Sequence, residues 1–162
     1  MLTNNCPISP SFVAPGASCT LLVAFKPQTG GTLTGTVTIT DNAAGSPQTV
    51  GLTGTGTVVS FSPTSLPFSA VTVGQSSIPQ AIIMTNNAKN QTLRNISISI
   101  TGTNAGDFSQ TITCGSSLAA LATCTITVTF TPTATGSRSA SVSVADNGGG
   151  GPQTVPLSGT GQ

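Results

Sequence analysis

The strongest constraint on the fold is an internal repeat. Residues 19–56 align with residues 124–161 without a gap at an offset of 105, and 18 of the 38 aligned pairs are identical. A period of this length matches one immunoglobulin-like β-sandwich, which has roughly 100 residues. The second copy then occupies residues 57–162 as a complete, seven-stranded module. Residues 1–56 hold only the C-terminal strands of the first copy, so we expect an incomplete module followed by a complete one.

Alternating apolar and polar residues indicate β-strands along the chain. From Cys124 to Phe130 every second residue is apolar and the residues between them are threonines, which is the pattern of a strand with one buried face. Residues 58–68 contain Pro63 and Pro67 and predict an edge strand, because proline cannot donate to a sheet. Residues 118–121 are the one place where a helical turn is expected. The remaining strands of the second copy are predicted around residues 82–84, 96–100, 108–114, 140–144 and 155–157.

The predicted fold is therefore all-β. It is an immunoglobulin-like antiparallel β-sandwich, preceded by the C-terminal half of a second such module.

Composition excludes several classes of function. The chain has no His, Trp or Tyr, and only four basic and three acidic residues. Nucleic-acid binding needs a cluster of cations, and histidine-dependent catalysis or metal binding needs histidine. Sugar-binding faces commonly stack on Trp or Tyr. We expect no nucleic-acid partner and no bound cofactor or metal.

The chain shows no segment that targets it to a membrane. No apolar run approaches the ~18 residues of a membrane span, and residues 1–6 lack the basic start and apolar core of a signal peptide. Four cysteines in so neutral a β protein nevertheless favour an oxidising compartment. We expect a piece of a longer exported protein, extracellular or at the cell surface.

The four cysteines form two local pairs at matching places in the two copies. Cys6 and Cys19 are 13 residues apart, and Cys114 and Cys124 are 10 apart. A zinc or redox site is disfavoured because neither a Cys-x-x-Cys motif nor a histidine is present. We predict one disulfide in each module, each stabilising the fold by roughly 3 kcal/mol in the chain-entropy model.

The charged residues are expected to be structural. Asp41 and Asp146 begin loops between strands, where backbone capping of the turn is favoured over a calcium site because the chain has so few acids. Asp107 is expected to cap a turn before the next strand. The four basic residues are interpreted as solvated surface positions: Lys26, Lys89, Arg94 and Arg138.

A nucleophilic site has weak support. Residues 16–20, Gly-Ala-Ser-Cys-Thr, come nearest to a nucleophile elbow. They lack its final glycine, and the chain has no histidine to act as base. A Ser–Lys pair that uses Lys26 or Lys89 stays open as a minor alternative.

The second copy resembles a known family. Residues 124–132, Cys-Thr-Ile-Thr-Val-Thr-Phe-Thr-Pro, followed by Gly136 and the closing Pro-Leu-Ser-Gly-Thr-Gly of residues 156–161, are similar to bacterial immunoglobulin-like modules of the abnormal-spindle/Hydin (ASH) type. Residues 61–68 and 105–108 fit the same pattern. Such modules are common in choice-of-anchor D surface proteins. The resemblance implies tandem arrays in secreted or surface proteins and no catalytic motif.

These observations favour a non-catalytic structural or adhesion spacer module of a bacterial repeat protein, not an enzyme. One alternative is a glycan- or protein-binding module that uses loops at one end of the sandwich. A second alternative is a hydrolase with an atypical, histidine-free site.

Residues 1–56 are expected to self-associate. The strands that should cover their apolar face lie before residue 1, and a half-sandwich of this size is marginal alone. We predict a symmetric dimer or a strand-exchanged, domain-swapped filament. The alternatives are that this part stays poorly ordered, or that it covers its face on the second module near Val58 or residues 71–73. The predicted self-association residues are Leu21, Val23, Phe25, Val37, Ile39, Val50 and Leu52.

Overall fold

The computed structural model describes residues 2–7 and 12–162, and nearly all of its regular structure is β-strand. One 3-10 turn, Ala105–Asp107, interrupts the strands. In chain order the strands are β1 Leu2–Asn4, β2 Leu21–Val23, β3 Gly31–Ile39, β4 Gln48–Gly56, β5 Val59–Ser62, β6 Leu66–Pro67, β7 Gln80–Asn86, β8 Leu93–Arg94, β9 Ser97–Thr101, β10 Phe108–Ile112, β11 Ser117–Leu118, β12 Thr123–Phe130, β13 Gly136–Ala145 and β14 Gln153–Gly161.

Residues 58–162 form a β-sandwich of two four-stranded sheets. One sheet has the order β10-β12-β7-β5 and the other the order β6-β14-β13-β9. All neighbours are antiparallel except β6, which runs parallel to β14. The predicted all-β, immunoglobulin-like antiparallel sandwich is confirmed.

The first strand of this sandwich differs from the prediction of one edge strand over residues 58–68. The chain forms β5 in one sheet, turns at residues 63–65, and forms β6 in the other sheet. Pro63 follows β5 directly, and because a proline nitrogen carries no hydrogen it cannot extend the sheet pairing. One predicted strand is therefore divided between the two sheets.

The helical turn predicted at residues 118–121 was wrong. Ser117 and Leu118 pair with Arg94 and Leu93 as a short antiparallel ladder, and a turn follows in which the Ala122 nitrogen donates to the Ala119 carbonyl. Leu118 is buried in the core there, whereas Leu121 is 65% exposed. Burial of one leucine between the sheet edges outweighs the weak local preference for helix.

The hydrophobic core lies wholly within the second copy. All buried apolar side chains of the described residues lie between Val58 and Leu157. The alternation predicted for β12 places Cys124, Ile126, Val128 and Phe130 in this core. Phe130 stacks on Phe108 with ring centroids 4.8 Å apart.

Residues before 57 repeat part of this architecture as two separate two-stranded sheets, β1-β2 and β3-β4. The register of β3 on β4 pairs Gly31 with Gly56 and Ile39 with Gln48. Adding 105 to each number gives pairs found between β13 and β14. The sequence repeat is thus also a repeat of strand register.

Candidate functional site

An apolar face of the first copy is exposed where the second copy buries the same face. We call the seven predicted self-association residues the open face. Val23, Ile39 and Val50 are 47%, 37% and 52% exposed, Phe25 is 53% exposed, and the other three are half-buried. Their counterparts 105 residues later are at most 1% exposed: Ile126, Val128, Phe130, Val142, Val144, Val155 and Leu157.

The local geometry of the two copies is nevertheless the same. A Cβ added to Gly54 would lie 2.8 Å from the Phe25 ring, and one added to Gly159 would lie 2.5 Å from the Phe130 ring. Each phenylalanine therefore packs closely against the glycine of the facing strand. At this contact the two copies have the same geometry, although β2 has 3 residues where β12 has 8, so the exposure of Phe25 comes from a lack of further neighbours.

The missing neighbours are strands. In the second copy β12 lies between β10 and β7, β13 lies between β14 and β9, and β14 also pairs with β6. Among residues 2–7 and 12–57, β2 pairs only with β1, and β3 and β4 pair only with each other. Three strand edges that carry partners in the second copy are therefore open in the first.

Three residues of the open face, Val23, Phe25 and Leu52, line a cleft between the β2 segment and the β3-β4 sheet. Its volume is about 500 Å³, and the lining comes from residues 23–26, 33–35 and 51–54. Lys26 is the only charged residue in this lining. Exposed apolar side chains around a cleft that is open at strand edges are typical of a protein-interaction surface.

The second copy does not cover the open face. Contacts between the two copies are made by Gly30, Gly31 and Gly56, next to the loop at residues 147–150. Val50 and Phe25 of the open face and Val73 remain exposed, so the predicted alternative, in which this face is covered by the second module near Val58 or residues 71–73, is not found.

These contacts form a close joint. The Gly30 nitrogen of the first copy donates to Oε1 of Gln91 in the second over 2.9 Å, and within the second copy the Thr57 hydroxyl holds the adjoining loop by donating to the Gly149 carbonyl over 2.7 Å. A Cβ added to Gly149 would lie 2.2 Å from both the Gly31 nitrogen and the Gly56 oxygen. The glycine-rich loop thus lets the backbones of the two copies meet directly.

Asp107 and Arg138 form a buried ion pair, which corrects the prediction that Arg138 is a solvated surface residue. Asp107 is 3% exposed, and its Oδ2 accepts a hydrogen bond from Nε of Arg138. Its Oδ1 accepts from the backbone and hydroxyl of Thr133 over 3.2 and 2.6 Å. The carboxylate therefore joins three segments and does not cap the turn before Phe108.

These hydrogen bonds change the acidity of the carboxyl. The bond from Arg138, with the two bonds from Thr133, outweighs burial and lowers the pKa of Asp107 below its ordinary value of 3.8. Asp107 is thus held as a carboxylate, in the role of a structural anchor.

The other two acids cap turns, as the sequence predicts. The Ala43 nitrogen donates to Oδ1 of Asp41 over 2.8 Å, and the Gly148 nitrogen donates to Oδ1 of Asp146 over 2.5 Å. Burial raises the pKa of Asp146, and the hydrogen bond from Gly148 opposes that shift. Within the described residues, no three His, Cys, Asp or Glu side chains come together as metal ligands would.

Both disulfides have the pairing that the sequence predicts. Cys6 is bonded to Cys19 and Cys114 to Cys124, with Cα atoms 4.9 and 5.0 Å apart. The first closes the connection between β1 and β2, and the second closes that between β10 and β12. Disulfides persist in oxidising compartments, so the two disulfides are typical of a protein in an oxidising environment.

The weak nucleophile candidates remain apart from any recognisable catalytic geometry. Residues 16–20 lie in an exposed loop and not in a strand-to-helix turn. Lys26, Lys89 and Arg94 are exposed, as predicted.

Sequence reasoning missed a polar anchor at Asn86. This residue is fully buried, and its amide nitrogen donates to the carbonyls of Gln91, Leu118 and Ala119 over 2.8, 3.1 and 3.0 Å. Its Oδ1 accepts from the Ala88 nitrogen over 3.0 Å. No pattern in one sequence distinguishes this asparagine from the surface asparagines beside it.

No helix within the described parts of the chain is long and apolar enough to cross a membrane.

Comparison with solved structures finds similar sandwiches. The ASH/PapD-like domain 7 of human CEP192 matches with 15% identity and a TM-score of 0.51, over 66% of this chain and 87% of that chain. The secreted serine protease VesC of Vibrio cholerae matches with 18% identity and a TM-score of 0.44, over 59% of this chain and 21% of that chain. WR4, an MSP family member of C. elegans, matches with 5% identity and a TM-score of 0.42, over 65% and 99%. The first likeness bears on the fold alone, and we draw nothing from the other two.

Comparison with curated protein sequences gives no match. The profile of a family described as Cep192 domain 4 matches residues 58–162. The predicted resemblance is confirmed for the ASH/PapD-like immunoglobulin fold. Because the match spans more than half of the chain, this protein belongs to the Cep192 domain 4 family.

Proposed function

We propose that this chain is a non-catalytic structural or adhesion spacer of a secreted or cell-surface repeat protein, and that it self-associates through the open face. In this proposal residues 1–56 are an incomplete module and residues 57–162 a complete one. The similarity of the second copy to bacterial choice-of-anchor D modules supports the assignment to such a repeat protein.

One observation carries the proposal: the open face is exposed, while its repeated counterpart is a core. Val50 is 52% exposed and Val155 is fully buried. Removing a valine or phenylalanine side chain from water contributes roughly 1.5–3 kcal/mol, so covering the open face stabilises any complex that does so.

Charge does not oppose contact between two copies. Residues 1–56 carry one basic residue, Lys26, and one acidic residue, Asp41. A self-complementary patch of a symmetric dimer must face its own copy, and a nearly uncharged patch avoids like-charge repulsion there.

Sedimentation equilibrium of the full chain tests the proposal. We expect a concentration-dependent dimer or larger assembly, which Val50→Asp should disrupt because it places a charge in the contact. Ile78→Asp is the matched control, since Ile78 is 86% exposed and lies outside the open face. Equal association of wild type and Val50→Asp would contradict the proposed surface.

A further inference from the structure

The free edge of β2 and the adjoining face of β4 around Val50 and Leu52 are here called the groove. We propose that the groove accepts an extended β-strand of the β7 type, supplied by a second polypeptide of the same repeat family. The inference rests on the proposed function, because it uses the open face, and it adds the register, direction and chemistry of the strand that binds.

The second copy supplies the register. There β7 pairs antiparallel with β12, so that Met84 lies opposite Cys124, Ile82 opposite Ile126 and Gln80 opposite Val128. Subtracting 105 from the β12 residues gives Cys19, Leu21 and Val23 as the positions that face the incoming strand.

The edge of β2 is free to make these pairs. Among the described residues β2 has β1 as its only partner, with Leu21 paired to Asn4 and Val23 to Leu2. The equivalent strand β12 has β10 on that side and β7 on the other. An extended peptide that adds to an open sheet edge gains main-chain hydrogen bonds there, and alternate side chains provide specificity.

The apolar surface of β4 that the incoming strand would cover is also accessible. Ile82 and Met84 are fully buried and share one core cluster with Val155 and Leu157. The counterparts of the latter two, Val50 and Leu52 on β4, are exposed and half-buried. The incoming strand therefore needs two large aliphatic side chains, two residues apart, to occupy the places that correspond to Ile82 and Met84.

The groove favours an uncharged strand. The β7 sequence Gln-Ala-Ile-Ile-Met-Thr-Asn has no charged residue. Leu33 in the cleft lining stands at the position of Arg138, which neutralises the buried Asp107 in the second copy. Leucine makes that corner apolar, and the one charged residue of the cleft lining, Lys26, is exposed to solvent, so an acid buried on the incoming strand would lack a buried cation.

A synthetic peptide with the sequence of residues 78–90, Ile-Pro-Gln-Ala-Ile-Ile-Met-Thr-Asn-Asn-Ala-Lys-Asn, is the probe. The control peptide carries Ile82→Asp and Met84→Asp. Hydrogen exchange of the full chain is followed by mass spectrometry with each peptide. With the unsubstituted peptide we expect backbone amides of residues 20–24 to exchange at least about tenfold more slowly, and with the control we expect no change.

Variants of the chain separate this site from nonspecific apolar binding. Leu21→Asp should abolish the protection, while Leu121→Asp should leave it intact, because Leu121 is 65% exposed outside the groove. Protection by the control peptide, or protection that survives Leu21→Asp, would overturn the strand proposal.

Addition of the same peptide to the chain also distinguishes the self-association proposal from the strand proposal. If the chain associates and the groove is the contact, the peptide should convert the assembly into a complex of one chain with one peptide. An assembly that neither binds nor responds to the peptide overturns the strand proposal and leaves self-association standing. A monomeric chain that binds the peptide in register overturns self-association and leaves the strand proposal standing.

Discussion

Phe25 and Phe130 occupy equivalent positions 105 residues apart and pack against equivalent glycines, yet Phe25 is 53% exposed and Phe130 is fully buried. Phe130 lies among Phe68 and Phe108, with ring centroids 5.8 and 4.8 Å away. Within the described residues Phe25 makes no aromatic pair. The same local structure is thus completed into a core in one copy and left open in the other.

The two phenylalanines should differ in their contribution to stability. Phe130→Ala is expected to lower the free energy of unfolding by about 3–5 kcal/mol, because it leaves a cavity in a packed core. Phe25→Ala should cost less than about half of that, because half of the ring already contacts water. Urea denaturation of the full chain, at concentrations low enough to keep it monomeric, measures both, and equal losses would show that the single chain itself buries Phe25.

Replacing Asp107 with Asn should destabilise the second copy at neutral pH. The change leaves Arg138 partly buried without its anion, and breaking a buried pair from one side costs about 3–5 kcal/mol. We expect the lower end of that range because the Arg138 side chain is 17% exposed. Arg94→Gln, on an exposed arginine, is the control and should have little effect.

Asp107 should also govern the response to acid. Its folded-state pKa lies below the ordinary value of 3.8, so its contribution is complete above that pH and is lost as the pH falls through the folded-state value. Denaturation midpoints measured from neutral pH down to about pH 2 should therefore fall steeply for wild type and less steeply for Asp107→Asn. Parallel curves would rule out this role.

Asp146 should act with the opposite sign. Burial raises its folded-state pKa, so its contribution is complete below 3.8 and is lost as the pH rises through the folded-state value. At low pH Asp146 adds stability that offsets the stability lost at Asp107. Asp146→Asn removes this contribution, so the free energy of unfolding should decline more on acidification. A smaller decline in the same titration would contradict the assignment.

The two disulfides should stabilise different units. Replacing Cys114 and Cys124 with serine should lower the unfolding free energy of the sandwich by about 3 kcal/mol. Replacing Cys6 and Cys19 should leave that transition unchanged and speed hydrogen exchange at residues 20–24. Peptide mapping of a non-reduced digest checks the pairing first, and a Cys6–Cys114 link would refute it.

The joint between the copies should be sensitive to Gly149→Ala. The added Cβ would meet the backbone of Gly31 and Gly56, so exchange at residues 30–31 and 56–58 should become faster. Gly45→Ala is the matched control: its φ of +90° carries similar backbone strain, but nothing lies within 4 Å of the added Cβ. If both variants behave alike, strain and not the joint explains the effect.

The repeat made most of the fold predictable. It placed the alternating residues of β12, β13 and β14 in one core and located both disulfides, because periodicity and spacing report burial and loop closure directly. It also identified the open face, since residues that form a core in one copy are apolar in the other.

Contacts between distant, single residues were not predictable in this way. Arg138 looks like any surface arginine, since its partner Asp107 lies 31 positions away and no pattern connects them. One signal was available: Leu33 stands in the first copy at the position of Arg138 in the second. A repeat position that holds leucine in one copy and arginine in the other indicates that the environment of the side chain differs between the copies. Asn86 gave no such signal, since its hydrogen bonds depend on the path of the loop at residues 118–119.

Light scattering of the full chain over a range of micromolar concentrations, paired with hydrogen exchange of residues 19–56, tests the central claim most directly. Open edges and apolar faces associate in this concentration range. We predict a mass above that of the monomer, with the amides of β2, β3 and β4 protected only where the chain is associated. A strictly monomeric chain whose residues 19–56 are nonetheless protected would contradict the claim that another polypeptide covers the open face.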